Sequence, residues 1–360
     1  PNGAGKSTFI NILAGTTIKT SGEVNVWGFN LDINPRQVRA SIGIVPQEVN
    51  VDPFFTPWNI LELQAGMYGI KKKDRIAAYM PNTIETVEAF LATSSIGAIW
   101  SSCSPDFGVK GVIERFSQIN PKVLIICDRY FYNGKSHNCL GKIKSFTARL
   151  PTLKQVILFD YASSDNIGIN NSISYQEILD NYEPNEIDFE RVGFDHPLYI
   201  MYSSGTTGVP KCIVHGHGGT LVQHLKEHQL QTNISAGDRV FYFTTCSWMM
   251  WNWLVSALGT GATIMLYDGS PTYPDNIVLW RFADEEQFSH FGTSAKYIET
   301  LMKNDVNPSA IFKLNNLKAI CSTGSPLSAE CYDYIYNNVG YVHLASISGG
   351  TDIVLSLIHI

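Results

Sequence analysis

The chain has 360 residues, 44% hydrophobic and 16% charged, which supplies a sizeable core and excludes a disordered polypeptide. A net charge of -6 excludes a general electrostatic pull toward nucleic acid or an anionic membrane. Seven scattered cysteines, none spaced as C-x-x-C, argue against a disulfide framework or structural zinc and suit a reducing cytoplasm.

The first predicted element is a phosphate loop, Pro1-Asn2-Gly3-Ala4-Gly5-Lys6-Ser7-Thr8, opening an apolar helical stretch over 9–14. Amides around Gly3 and Gly5 and the positive helix end suit phosphate. Lys6 reaches the outer phosphates and Ser7 holds magnesium, with Thr8 beside it. The full pattern calls for a Gly before Pro1, so the loop reads as headless. Strands are expected at 22–28 and 42–46, the second running into Gln47. This order of loop, strand and Ile-Val-Pro-Gln resembles the start of an ABC-transporter ATP-binding domain. The resemblance implies that Gln47 senses magnesium and a transporter membrane subunit. No apolar run ending in Asp-Glu follows, and 347–351 is rejected as a signature helix because Thr351 replaces the expected Gln. Residues 1–73 are therefore expected to be a partial domain without ATP turnover of its own.

The texture changes at Lys71-Lys72-Lys73-Asp74. A strand is expected at 74–79, a turn at Pro81-Asn82, and an amphipathic helix over 83–97 with Val87, Phe90, Leu91 and Ile96 near one face. Further strands are expected at 123–127, 155–159, 198–202, 239–243, 262–266, 319–321 and 342–347, with a surface loop at 163–174. Alternation of strands with helical stretches predicts an α/β fold of layered, largely parallel or mixed sheets. The apolar stretch 248–267 reads as buried helix, turn and strand, since Asn252, Gly259, Gly261 and a turn at Asp268-Gly269 break it up as a membrane span.

The strongest signal follows the strand at 198–202: Tyr202-Ser203-Ser204-Gly205-Thr206-Thr207-Gly208-Val209-Pro210-Lys211. Two glycines permit sharp backbone turns, four hydroxyls and the intervening amides can surround a triphosphate, and Lys211 adds positive charge. This stretch, with its continuation through His215-Gly216-His217, resembles the adenylate-forming (AMP-dependent) acyl-CoA ligases, and most closely their acetoacetyl-CoA synthetase branch. Segments 98–108, 243–253 and 291–297 agree in order and spacing, so the resemblance spans 74–356.

What the resemblance implies can be placed residue by residue. Ser203 to Lys211 would hold the β- and γ-phosphates of ATP. Gly324-Ser325-Pro326 would pack on the adenosine. Thr351 would contact the α-phosphate and Asp352 would help hold Mg2+, with Asp in place of the family's Glu. Trp248, Met249, Met250 and Gly349 would line the acyl pocket, glycine at 349 leaving room for an acid longer than acetate. Lys211, Thr351 and Asp352 are the catalytic candidates. The implied reaction joins a carboxylic acid, acetoacetate by branch, to coenzyme A through an acyl-adenylate. The family's ribose-binding Asp and catalytic Lys fall beyond the last residue of this sequence, so the chain is expected to be an incomplete and inactive ligase piece, with 357–360 unassigned. Two alternatives stay open: an ATP-binding subunit of a transporter, and a non-functional composite of two partial genes.

Two decoys need weighing. His215, His217, His224 and His228 look like metal ligands, yet no carboxylate or second cysteine completes a set at ligand spacing. Cys246 could be a nucleophile, but adenylation already activates the acid and makes covalent catalysis unnecessary.

Overall fold

The structure is a computed structural model that describes residues 12, 17–26, 29–33, 38, 71–161, 168–181, 187–203, 208–354 and 357–359. The loop residues Gly3, Gly5, Lys6, Ser7 and Thr8, the strand expected at 42–46, and Gln47 lie outside the described residues, as do Ser204, Gly205, Thr206 and Thr207. The chain divides into two compact units, residues 1–54 and 55–360. In the first, β1 (Asn25–Val26) pairs antiparallel with β2 (Phe29–Asn30), within and just after the strand expected at 22–28. The Glu23 carboxylate accepts from the Asn25 and Asn30 side-chain amides at 3.1 and 2.9 Å and ties the two strands together.

The second unit opens with β3 (Arg75–Tyr79), α1 (Ile84–Ser95), β4 (Ile99–Cys103), α2 (Val109–Ile119) and β5 (Val123–Cys127). A short hairpin, β6 (Arg129–Tyr132) with β7 (Lys135–Asn138), precedes α3 (Leu140–Thr147) and β8 (Gln155–Phe159). Next come β9 (Ser172–Ser174), α4 (Tyr175–Asn181), β10 (Pro197–Ser203) and β11 (Lys211–Gly216). These strands build a seven-stranded sheet in the order β11-β10-β4-β3-β5-β8-β9, parallel except where β10 meets β11. The end of the loop expected at 163–174 is thus corrected: Ser172–Ser174 adds to β8 as an edge strand, because the β8 edge offers backbone partners that the polar side chains do not advertise.

After α5 (His217–Lys226) the chain widens into one π-helical turn at Glu227–Gln231, then forms β12 (Arg239–Tyr242), α6 (Met249–Ser256) and β13 (Thr263–Met265). The remaining elements are α7 (Val278–Glu285), β14 (His290–Ser294), α8 (Ala295–Lys303), β15 (Ala319–Thr323), α9 (Ala329–Asn338), β16 (His343–Ser348) and β17 (Leu357–His359). They form a six-stranded sheet ordered β13-β12-β14-β15-β16-β17, parallel except at β17, so three residues left unassigned from sequence become an antiparallel edge strand. The stretch 248–267 is helix, turn and strand as expected. No helix among the described residues is long and apolar enough to cross a membrane.

Strand periodicity explains the layering. Successive residues of a strand face opposite sides. Ala77 and Tyr79 of β3 pack with Val112 and Phe116 of α2 and Ile143 and Phe146 of α3, whereas Ile76 and Ala78 join the core containing Phe90 of α1 and Trp251 of α6. That middle core also takes Cys321 of β15 and Ala345 of β16, so helices α1 and α6 lie between the two sheets. Helices α7, α8 and α9 cover the far face of the six-stranded sheet through Trp280, Ile298 and Ile335. Both faces of both sheets are covered, which is why the central strands are near-continuous apolar runs such as Val-Leu-Ile-Ile-Cys in β5.

Two stability predictions follow from this packing. A Cβ on Gly292 of β14 would lie 2.1 Å from the ring of Tyr242, itself buried, so Gly292→Ala should cost about 1–3 kcal/mol, read as a lowered urea midpoint. Burial alone would raise the Asp238 carboxyl, but the Lys318 ammonium at 2.7 Å and the Ser235 N–H and hydroxyl outweigh it and hold the group at about 2. A depressed carboxyl stabilises the fold above the ordinary carboxylate range. Its contribution is lost as pH falls from about 4 toward 2. Urea midpoints should therefore separate wild type from Asp238→Asn at pH near 6, and the gap should close in acid.

Candidate active site

The predicted phosphate loop springs from the edge of the seven-stranded sheet. Ser203 ends β10 and pairs directly with Lys211, the first residue of β11. Its roots are held firmly: the Ser101 hydroxyl donates to the Ile200 carbonyl at 2.9 Å, and Gln118 of α2 donates to the Pro210 carbonyl at 2.8 Å. Gly208 has φ +103 with open space around it, a backbone state that glycine adopts and side-chain-bearing residues resist. Lys211 is exposed at the foot of the loop.

The other predicted elements meet in one cavity of about 980 Å³. Trp248, Met249 and Met250 reach it from the start of α6. Gly324, Ser325 and Pro326 reach it from the turn after β15, and Gly349 and Thr351 from the turn after β16. Neighbouring parallel strands end together here, and the chain must leave both in the same direction, which opens a crevice at their carboxyl ends. Gly324, at φ +92, lets the chain turn sharply away from β15. The Thr323 hydroxyl donates to the Ile347 carbonyl at 2.9 Å and ties the two strand ends together. Trp248 is 67% exposed, whereas Met249 and Met250 are buried and present soft apolar surface.

Lys211 and Asp352 do not line this cavity. Asp352 sits exposed on the short helical turn Thr351–Ile353, and β11 approaches that turn through His215, whose Nε2 lies 2.7 Å from the Thr351 carbonyl. Among the described residues the lining contains no Lys or Arg. The hydroxyl-bearing residues Thr323, Ser325, Ser346, Ser348 and Thr351 do line it, alongside the apolar Met249, Met250, Ile347 and Leu327. Such a donor set fits sugar and phosphate oxygens beside an apolar group, and an exposed carboxylate such as Asp352 is the hard oxygen ligand that magnesium takes.

Sequence reasoning missed Tyr332 and Asp333 of α9 and the residues Ser346 to Ser348 of β16. Ala329, Tyr332 and Asp333 are spaced i, i+3, i+4, so one face of α9 points at the cavity, and that spacing behind the Gly-Ser-Pro turn could have flagged them.

The histidines fall apart as a group. His224 and His228 are fully buried with ring centroids 6.1 Å apart, and burial pushes both down to about 3. His217 lies against His196 and is pushed down to about 4, burial again being the main cause. No cluster of three or more metal-ligating side chains occurs among the described residues. Cys246 donates to the Met80 carbonyl and burial pushes its thiol up to about 12, which leaves no thiolate at neutral pH.

Six of the seven cysteines are buried, and Cys212 alone is half-exposed. Alkylation of the folded chain should modify Cys212 first and leave Cys246 intact until the protein unfolds, as mass spectrometry of timed iodoacetamide samples would show. Rapid native labelling of Cys246 would contradict its placement.

The profile of the AMP-binding enzymes matches residues 63–349, and that of the ABC transporters matches residues 1–101. An acetoacetyl-coenzyme A synthetase of Rhizobium meliloti is 50% identical over 292 residues, and an acetoacetyl-CoA synthetase of Gallus gallus is 50% identical over 294; each alignment takes in 79% of this chain and 44% of the relative. The structure of acetoacetyl-CoA synthetase from Streptomyces lividans superposes with a TM-score of 0.80 at 38% identity, covering 84% of this chain and 47% of that one. The chain thus spans less than half the length of the curated relatives it matches.

Proposed function

The chain belongs to the family of AMP-binding enzymes, and from that premise we propose that residues 74–356 carry the nucleotide and acyl part of a site that joins acetoacetate to coenzyme A at the expense of ATP. The observation that carries the proposal is convergence. Three segments singled out separately, 248–250, 324–326 and 349–351, line a single cavity although up to 103 residues separate them.

In this reading Lys211, with Ser203 to Gly208 of its loop, takes the β- and γ-phosphates, and Thr351 takes the α-phosphate. Gly324, Ser325 and Pro326 cover the adenosine, and Met249, Met250 and Gly349 receive the acid. Asp352 would hold Mg2+, which supplies positive charge against the triphosphate when bound. An acetoacetate oxygen attacks the α-phosphorus, the bond to the departing pyrophosphate breaks, and the acyl-adenylate forms. The sulfur of coenzyme A then attacks the acyl carbon and AMP leaves. In the first step the attacking carboxylate oxygen is already anionic, so the residues work there by position and charge and no general base is required; in the second step the thiol gives up its proton as the thioester forms. No basic residue lines the cavity among the described residues, which is why this reading assigns the positive charge to Lys211 and to Mg2+ when bound.

For residues 1–73 we propose descent from a transporter ATPase. The ABC-transporter match at residues 1–101 supports this, as does the separate compact unit over 1–54. Its overlap with the ligase match is assigned to the ligase, because 75–103 form β3, α1 and β4 inside the seven-stranded sheet. Sequencing the transcript across Lys71 to Asp74 tests whether the two parts are joined in the cell.

The activity test uses the protein that carries this chain. Acetoacetate-dependent exchange of pyrophosphate into ATP should fall on the order of a hundred- to a thousandfold with Lys211→Ala and be unchanged by Lys6→Ala. ATP hydrolysis that disappears with Lys6→Ala and persists with Lys211→Ala would overturn the ligase reading in favour of a transporter ATPase. Gly349→Trp, which fills the acyl end of the cavity, should lower use of acetoacetate relative to acetate by roughly ten- to two-hundredfold.

A further inference from the structure

The turn assigned to the α-phosphate is not held by its own hydrogen bonds alone. Thr351–Ile353 forms a single 3₁₀ turn, and Val354 directly after it has φ +53. A β-branched residue in the left-handed region is strained, and such a conformation persists when the surroundings impose it. Val354 is buried, and the fully buried His224 lies against its backbone. The second restraint is His215. This residue is 8% exposed, stands four positions beyond Lys211 on β11, and packs its ring against Tyr199 with centroids 5.5 Å apart. Its Nε2 lies 2.7 Å from the Thr351 carbonyl. A carbonyl can only accept, so Nε2 carries the hydrogen and donates it.

The bond spans the two sheets. His215 belongs to the seven-stranded sheet and Thr351 follows the last parallel strand of the six-stranded one. Lys211 and Thr351 therefore reach one ligand from separate scaffolds, and a sub-ångström slip between them would mismatch adjacent phosphates. We propose that His215 is a positioning residue that clamps the Thr351–Asp352 turn to the strand bearing Lys211, so that the two halves of the phosphate site stay in register. The consequence for nucleotide rests on the ligase reading; the clamp itself does not.

Two measurements on the full chain separate these levels. Hydrogen exchange without nucleotide reads the clamp: His215→Leu, which removes the donor, should speed exchange of the amides of 351–354 about tenfold, roughly one hydrogen bond's worth, while His215→Gln, which keeps an N–H, should restore most of the protection. His215→Asn, too short to reach, replaces the leucine variant should that fail to fold. Calorimetric titration of ATP in a Lys6→Ala background reads the consequence, with about tenfold weaker binding for His215→Leu and recovery in His215→Gln. Unchanged exchange in His215→Leu overturns the clamp. Altered exchange with unaltered ATP affinity overturns its role in nucleotide register. If the Lys6→Ala chain binds no ATP while exchange still responds, the clamp stands and the ligase reading falls.

Discussion

Everything in the larger unit depends on burying helix α6 between two sheets. From Met249 to Val255 each of its residues is buried, so the helix has no solvent face and must be matched on all sides. Trp251 stacks on Trp100 of β4, meets Phe90 of α1 edge-on, and donates its indole N–H to Asn82 at 2.8 Å. On the approach to the helix, the Ser102 hydroxyl donates to the Cys246 carbonyl at 2.6 Å and the Cys246 thiol donates to Met80. The Trp251 indole, the Ser102 hydroxyl and the Cys246 thiol are thereby paired, and those pairs orient the helix, whereas Trp253 Nε1 and Asn252 Oδ1 are buried without a partner. Its first turn then supplies Met249 and Met250 to the cavity. The apolar part of the site is a by-product of core packing, which gives it rigidity that a loop would lack.

The layer between the sheets is also kept poor in charge. Burial drives His217, His224 and His228 far below the ordinary imidazole range, so these rings serve as neutral packing groups at physiological pH, with His228 Nε2 paired to the Ser256 hydroxyl at 2.9 Å. The described residues that line the cavity likewise include no cation. Lys211 is exposed outside that lining, at the foot of a loop anchored by Gln118 and by pairing across β10 and β11.

Two sequence motifs of the phosphate-loop type occur in one chain. The motif Gly3 to Thr8 has the glycine-rich pattern that offers backbone amides, whereas Ser203 to Lys211 is rich in hydroxyls and joins β10 to the antiparallel edge strand β11. Nothing in the physics of either requires the other, and they fall in different compact units.

The sequence by itself determined the local elements and the chemistry of the motifs. The runs at 123–127 and 155–159 became β5 and β8 residue for residue, because a strand buried on both faces is near-continuously apolar, with Gln155 at the start of β8 the one polar residue of the two. The broken apolar stretch at 248–267 resolved into helix, turn and strand for the reasons its Asn and Gly residues supplied. Motif order also named Trp248, Met249, Met250, Gly324, Ser325, Pro326, Gly349 and Thr351 of the cavity lining. Tertiary structure alone decided which elements became neighbours. His215 and Thr351 are 136 positions apart, and each looks ordinary in its own segment. Tyr332 and Asp333 enter the cavity because α9 lies across the ends of β15 and β16, and Ser172–Ser174 is a strand because β8 had a free edge. Periodicity tells a residue which side of its own element to face. What stands on that side is settled by burying all the apolar faces together, a condition on the whole chain that a short window cannot express.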